Sequence, residues 1–140
     1  MFKHILMPLD FTDKSDAAVE ISREIAGRWE SRVTLLHVIE SIESAPGDEV
    51  RAFYRSLEQR AHTMLTRLQT DLAHQQIAAE IAVTLGRRAE EIVRFAGDHD
   101  VDLIVMSSRP VDPETGTPKP WPTVSHKVAV LAPCPILLVR

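Results

Sequence analysis

The sequence predicts a single doubly wound α/β domain that spans residues 1–140. Five short apolar segments alternate with four segments of helical periodicity, which is the order expected of successive βαβ units. The apolar segments are almost continuously hydrophobic, as in parallel strands that are covered by helices on both faces. Apart from one proline-rich segment, no linker or internal repeat divides the chain.

The first two predicted strands flank an amphipathic helix. An apolar run at residues 5–9 predicts strand one, and the β-branched run at residues 32–39 predicts strand two. Asp13 offers an N-cap oxygen for the helix between them, and Asp16 adds a favourable negative charge to its first turn. The apolar stripe of this helix recurs at helical spacing: Ala18, Ile21, Ile25 and Trp29.

A long helix and a third strand are predicted next. Helical periodicity runs over residues 49–74, and residues 77–85 alternate imperfectly before Gly86, which predicts strand three. The stripe that the long helix should bury is apolar throughout: Phe53, Leu57, Ala61, Met64, Leu65, Leu68 and Leu72.

The last part of the chain adds two helices and two strands. Strand four is predicted at residues 102–106, a short helix at residues 123–131, and strand five at residues 136–139. Prolines on either side of Cys134 end the short helix. The helix before strand four is marked by apolar residues at helical spacing: Ala89, Ile92, Val93 and Ala96.

The segment between strand four and the short helix is unusual, because residues 106–123 hold five of the nine prolines. In α/β proteins, the loop that leaves such a strand usually holds the ligand. A loop that binds phosphate needs backbone N–H groups and glycines that permit close approach. Proline has no N–H and restricts φ to about −65°. The segment therefore disfavours phosphate binding.

Composition narrows the classes of partner. A net charge of −4 and a hydrophobic content of 44% describe a globular protein without a large basic surface, so nucleic acid is not an expected partner. No apolar run approaches the ~20 residues of a membrane-spanning helix. The N-terminus lacks the order of a signal peptide, and the single cysteine suits a reducing compartment. We therefore expect a cytoplasmic protein.

Several segments resemble the universal stress protein A domain over essentially the whole chain. The first is Lys-His-Ile-Leu-Met-Pro-Leu-Asp at residues 3–10, and the last is Ala-Pro-Cys-Pro-Ile-Leu-Leu-Val-Arg at residues 132–140. Residues 33–39, 102–106 and 124–128 carry the rest of the resemblance. It implies a parallel sheet in the order 3-2-1-4-5, dimerisation, and a role in stress survival instead of a dedicated metabolic reaction.

The resemblance also implies a location for a nucleotide. Many family members bind ATP through Gly-x-x-Gly, followed further on by a third glycine and a Ser or Thr. Pro110, Pro113 and Pro122 stand at the three glycine positions here, if the loop is one residue shorter than usual. Thr123 retains the hydroxyl. On the adenosine side, Asp10 matches the acidic residue after strand one, and Val38 matches the strand-two position whose backbone lies against adenine.

Each candidate site residue also has a structural interpretation. Asp10 can accept hydrogen bonds from ribose or adenine, or it can organise the turn into the first helix. The hydroxyl of Thr123 and the N–H of Val124 can meet a phosphate at a helix N-terminus, or Thr123 can simply cap that helix. Arg109 can complement an anion, or it can be a solvated loop residue. Val38 is a buried strand residue on either interpretation.

The sequence offers little support for a metal site or for catalysis. The acidic segment at residues 98–102 lacks the glycine and glutamate of a calcium loop, and we interpret it as a helix-to-strand turn. The six histidines show no zinc-binding spacing. Ser107 and Ser108 are not part of a nucleophile elbow. We therefore expect no catalytic residues, no metal and no enzyme activity.

Strand five predicts a self-association surface. In the sheet order that the resemblance implies, it is an edge strand, and its apolar run would be an aggregation hazard if it stayed uncovered. Pairing with a second copy would cover it and produce a symmetric dimer. The residues expected at this interface are the whole of the strand: Ile136, Leu137, Leu138 and Val139.

Together, these observations predict a non-catalytic stress-response protein that acts as a homodimeric binding module, without tight ATP binding and without a cofactor. The alternative is a regulatory switch that binds ATP or AMP through a re-formed loop at residues 107–123. An enzyme on the same fold class, such as a nucleotidyl transferase or a hydrolase, has the least support, because no acid/base constellation is present.

Overall fold

The computed structural model describes residues 1–11, 15–41, 47–108 and 123–140. Its five strands are parallel and form one sheet in the order β3-β2-β1-β4-β5. Four helices alternate with the strands along the chain. The doubly wound α/β fold and the strand order 3-2-1-4-5 are therefore confirmed.

The elements follow the predicted sequence of strands and helices. In chain order they are β1 His4–Pro8, α1 Ser15–Trp29, β2 Arg32–Glu40, α2 Asp48–Ala73, β3 Ala79–Gly86, α3 Arg88–Asp98, β4 Leu103–Ser107, α4 Val124–Leu131 and β5 Ile136–Val139. The third strand begins later than predicted, because the Ile77 N–H donates to the Leu72 carbonyl at the end of α2 instead of joining the sheet. Asp13, the predicted cap of α1, lies outside the described residues.

Strand β1 is the centre of the sheet. Ile5 pairs with Val33 of β2 on one side and with Leu103 of β4 on the other. Ile5, Leu6 and Met7 are all 0% exposed. Side chains in the middle of a strand that is covered on both faces and paired along both edges are apolar, which explains the hydrophobic pattern of residues 5–7.

Each face of the sheet carries its own hydrophobic core. Helices α1 and α2 cover the face that includes Ile5 and Met7, and they contribute Ala18, Ala26, Leu65 and Leu72 to this core. Helices α3 and α4 cover the face that includes Leu6 and Val38, and they contribute Ala89, Ile92, Ala96 and Val128. Successive residues of β1 and β2 thus serve opposite cores, as the pleat of a strand requires.

Two aromatic residues that were predicted to lie on buried stripes are exposed. Trp29 is 49% exposed at the last position of α1, and Phe53 is 55% exposed near the start of α2. The buried residues of α2 begin only at Ala61, so its first turns extend past the core. In α1 only Ala18 of the predicted stripe is fully buried, and the other buried residues are Ser15, Ser22 and Ala26. Helical periodicity therefore locates the buried face approximately and cannot show where along the helix the sheet stops.

A buried histidine links the starts of three strands. The ring of His4 lies between the carbonyl oxygen of His99, 3.0 Å from Nδ1, and the hydroxyl of Thr34, 2.7 Å from Nε2. The guanidinium of Arg32 also lies 3.2 Å from Nδ1, so this nitrogen stands between a carbonyl acceptor and a cationic donor. Asp102 accepts hydrogen bonds from the backbone N–H groups of Lys3 and His4. The acidic segment before β4 is thus a helix-to-strand turn, as predicted.

Burial makes this histidine a source of pH-dependent stability. Desolvation lowers the pKa of His4 from its ordinary 6.5, with a smaller contribution from the nearby Arg32 guanidinium. As the pH falls below 6.5, the imidazole of His4 therefore takes up a proton in the unfolded chain before it does so in the folded protein. The contribution of His4 to stability is complete above that pH and is lost as the pH falls through the lower pKa of the folded state.

We expect the free energy of unfolding in urea to fall between about pH 7.5 and about pH 5.5, and His4→Gln to reduce that fall. His62→Gln, on an exposed position of α2, is the matched control and should leave the pH dependence unchanged. Equal pH dependence in the His4 variant and the wild type would contradict this account.

Candidate functional site

A cavity of about 390 Å³ opens where β1 and β2 end. Parallel strands bring their carboxyl ends to the same edge of the sheet, and ligands of such sheets bind beyond that edge. The strand ends contribute Asp10, Phe11, His37 and Val38, α2 contributes Arg60 and Met64, and α3 contributes Arg88. We call this space the first cavity. It contains both residues that were predicted for the adenosine side, Asp10 and Val38.

Asp10 has a structural partner as well as a place in the cavity wall. The hydroxyl of Ser15, at the first position of α1, donates to its carboxylate across 3.3 Å. This bond connects the end of β1 to the start of α1 across residues 12–14, which are not described. The carboxylate therefore helps to organise the strand-to-helix connection and also lines the first cavity.

An aromatic pair that sequence reasoning missed forms another part of the wall. Phe11 stacks on the ring of His37 with centroids 4.3 Å apart, and it adopts a left-handed φ of 62° to do so. Nδ1 of His37 donates to the Leu9 carbonyl at 2.7 Å. Desolvation lowers the pKa of His37, which favours the neutral ring. The sequence feature that could have indicated this pair is an aromatic residue, Phe11, directly after Asp10.

Val38 is a core residue of β2, with its side chain packed in the α3 and α4 core. It pairs with Thr84 of β3 and also lines the first cavity. It therefore stands near the carboxyl end of β2, beside the first cavity. Its burial is required by the fold on either interpretation.

A second cavity of about 240 Å³ lies beside the first, between the N-terminal ends of α3 and α4. Its lining includes Glu40, Arg87, Arg88, Val124 and Lys127. Glu40 and Arg88 line both cavities, and their side chains form an ion pair with Nε and Oε1 4.0 Å apart. The two cavities are therefore neighbours that meet at this ion pair.

The structure places only some of the residues that were predicted to contact phosphate. Thr123 caps α4: its Oγ1 accepts from the N–H of His126 at 3.3 Å and lies 3.2 Å from Oγ of Ser125. Val124 lines the second cavity. Arg109, the three proline positions of the loop and most of the segment at residues 107–123 lie outside the described residues.

Sequence reasoning did not identify the cations around these cavities. Arg60 reaches the first cavity from α2, Arg88 lines both cavities, and Arg87 and Lys127 line the second. Three of them come from different helices, so no local pattern joins them. The signal that was present is the pair Arg87-Arg88, which directly follows the glycine that ends β3.

The described part of the chain offers little support for metal binding, for thiol chemistry or for a membrane-spanning helix. Within residues 1–11, 15–41, 47–108 and 123–140, no three His, Cys, Asp or Glu side chains are grouped as metal ligands. Cys134 is half-buried, and desolvation raises the pKa of its thiol, which disfavours the reactive thiolate. Over the same ranges, every helix is too short or too polar to cross a membrane.

Comparison with known proteins gives a consistent result. The model of the universal stress protein family matches residues 1–140. The chain is 31% identical to the universal stress protein in the QAH/OAS sulfhydrylase 3′ region of Thermus aquaticus, with 100% of both chains covered.

Solved structures share the fold. Universal stress protein UspA from Lactobacillus plantarum superposes with a TM-score of 0.80 at 21% identity, covering 99% of this chain and 98% of the other. The universal stress protein from Archaeoglobus fulgidus in complex with dAMP superposes with a TM-score of 0.70 at 15% identity, covering 99% and 98%.

Replacement of the α4 cap tests how Thr123 is used. We expect Thr123→Ala to lower the free energy of unfolding by about 1 kcal/mol, because the N–H of His126 loses its partner. Ser125→Ala, in the first turn of the same helix, is the control and should cost less. Urea unfolding measures both variants, and a Thr123 variant as stable as the wild type would contradict the capping role.

Proposed function

Because the chain belongs to the universal stress protein family, we propose that it is a non-catalytic stress-response module that acts as a homodimer and does not hold ATP tightly. The observation that carries this proposal is that Pro110, Pro113 and Pro122 stand where the resemblance places the three glycines of the family's ATP loop, if the loop is one residue shorter than usual. The proposal includes a cytoplasmic location, which the single cysteine supports.

The prolines act on the triphosphate side of the site. Each removes one backbone N–H donor and keeps φ negative, so the backbone there cannot form the concave row of N–H groups that cradles a polyphosphate. The hydroxyl of Thr123, the one motif element retained, accepts a hydrogen bond from the N–H of His126 and caps α4. The prolines thus remove backbone N–H donors that the family's loop would offer to phosphate.

The titratable groups beside the first cavity have structural partners. His37 uses Nδ1 to hold the Leu9 carbonyl, and its lowered pKa keeps it neutral. Asp10 accepts from Ser15. Both side chains hold the strand ends in place, which is a role in shaping a pocket.

A second candidate function is a regulatory switch that binds a small adenine nucleotide. The first cavity favours it: about 390 Å³ lies within the ~300–1,000 Å³ range of small-molecule sites, and Asp10 and Val38 line it. The solved Archaeoglobus fulgidus relative was determined with dAMP. Under this candidate, the adenosine part occupies the first cavity and the loop at residues 107–123 re-forms around the ligand.

The edge of the sheet supports the homodimer. Strand β5 is terminal in the sheet order and pairs with β4. Leu137 and Leu138, on opposite faces of this strand, are each 38% exposed, and Val130 and Leu131 at the end of α4 are exposed nearby in sequence. A second copy paired along β5 would cover the open edge and these side chains.

Ligand titration tests the weak binding of ATP. We expect the melting temperature to change little with millimolar ATP and Mg²⁺, because a ligand stabilises the native state only when its concentration exceeds its Kd. Adenosine and AMP should raise it if the second candidate is correct, and Asp10→Ala should abolish that rise. Ser22→Ala, a buried serine on α1 away from the cavity lining, is the control.

A rise of several degrees with ATP at micromolar concentration would overturn the proposed weak binding. Turnover of ATP that disappears in the Asp10 variant would overturn the non-catalytic assignment.

Substitutions at the two sheet edges test the dimer. We expect Leu138→Lys to shift the molar mass measured by light scattering towards the monomer, because it places a charge in the interface. Leu85→Lys is the matched control: Leu85 is similarly exposed, but it lies on β3 at the opposite edge. Circular dichroism would verify that both variants fold. A monomeric wild type, or equal dissociation by the control, would contradict the β5 interface.

A further inference from the structure

We propose that the second cavity binds the 5′-phosphate of an adenine mononucleotide through the side chains of Arg87, Arg88 and Lys127. The inference rests on the nucleotide-binding candidate above, with adenosine in the first cavity. In this arrangement, side-chain cations replace the backbone N–H groups that the proline-rich loop lacks.

The strand ends connect the two cavities. Strand β2 ends at Glu40, which pairs with Gly86 at the end of β3, and α3 begins two residues later at Arg88. Glu40 and Arg88 therefore stand where both cavities meet, and both residues line each of them. Gly86 contributes no side chain to the lining of the second cavity. A ligand that starts beside Asp10 and Val38 can thus extend past the end of β2.

The charge of the second cavity suits an anion. Arg87, Arg88 and Lys127 line it from the start of α3 and the second turn of α4. Arg87 is also the N-cap of α3 and makes no side-chain capping hydrogen bond. The positive end of that helix dipole therefore acts in the same direction as the three cations.

Glu40 and Glu90 also line the second cavity, and their ion pairs with the cations are weak. Arg88 meets Glu40 at 4.0 Å and Lys127 meets Glu90 at 3.8 Å, the long end of the ion-pair range. All four side chains are more than a third exposed, so solvent screens both pairs. A phosphate can accept two parallel hydrogen bonds from one guanidinium, which is a stronger arrangement.

The balance of charge favours one phosphate over three. Three cationic side chains face two carboxylates in the second cavity, which leaves a small positive excess. That excess can neutralise part of a single phosphate dianion. A triphosphate would bring further negative charge towards Glu40 and Glu90 and would need the loop donors that the prolines remove. We therefore expect a nucleoside monophosphate to bind more tightly than ATP.

Calorimetric titration of the full chain with adenosine, 5′-AMP and ATP tests the inference. We expect AMP to bind roughly tenfold more tightly than adenosine at low salt, and this difference to shrink as salt is added. Arg87→Gln and Lys127→Gln should each weaken AMP binding about three- to tenfold and leave adenosine binding unchanged, because neither residue lines the first cavity. Arg94→Gln, an exposed cation on α3, is the matched control.

The outcomes separate this inference from the function on which it rests. Equal affinity for AMP and adenosine, or a preference for AMP that survives both substitutions, would overturn the phosphate site and leave nucleotide binding intact. No binding of either adenosine or AMP would overturn the nucleotide-binding candidate and the phosphate site together. Melting curves of the variants would exclude a loss of fold as the cause of weaker binding.

Discussion

The pairing of β1 with strands on both sides is the constraint on which the rest of the structure depends. Neighbouring parallel strands cannot be joined by a tight turn, so each connection must cross a face of the sheet, and here each carries a helix. From β1 the chain proceeds towards β2 on one side, and β4 lies on the other. Because β2 and β4 lie on opposite sides of β1, the connections that follow the strands diverge there and leave space beyond the strand ends. Asp10 stands two residues after β1 and lines the first cavity.

The candidate site divides into a rigid part and a chemically variable part. The rigid part is the set of strand ends, held by bonds such as His37 to the Leu9 carbonyl and by the Phe11 stack. The other part is supplied by helices, whose cations line both cavities. In this chain, prolines take the place of N–H donors in the segment at residues 106–123, and arginine and lysine side chains line the two cavities.

Sequence patterns predicted most of the fold because its strands are buried on both faces and its helices on one. Residues 5–9 and 32–39 are readable as strands for that reason, and strand five at 136–139 was placed at its observed bounds. The errors share one cause. Trp29 and Phe53 follow the periodicity of their helices but lie beyond the core, and Ile77 closes a helix instead of opening a strand. Periodicity is a local property, whereas the extent of a packed face is set by other elements.

By itself, the sequence determined the order of elements and the doubly wound class, because local hydrophobic pattern and chain order carry that information. The family resemblance singled out Asp10 and Val38 near the ends of β1 and β2. Only the tertiary structure decided which side chains share a cavity. Arg60 and Arg88 share the first cavity, and Arg88 and Lys127 share the second, although these residues belong to three helices that are far apart in the chain. It also decided that Thr123 serves α4 as a cap. Such choices depend on distances between elements, which no local pattern contains.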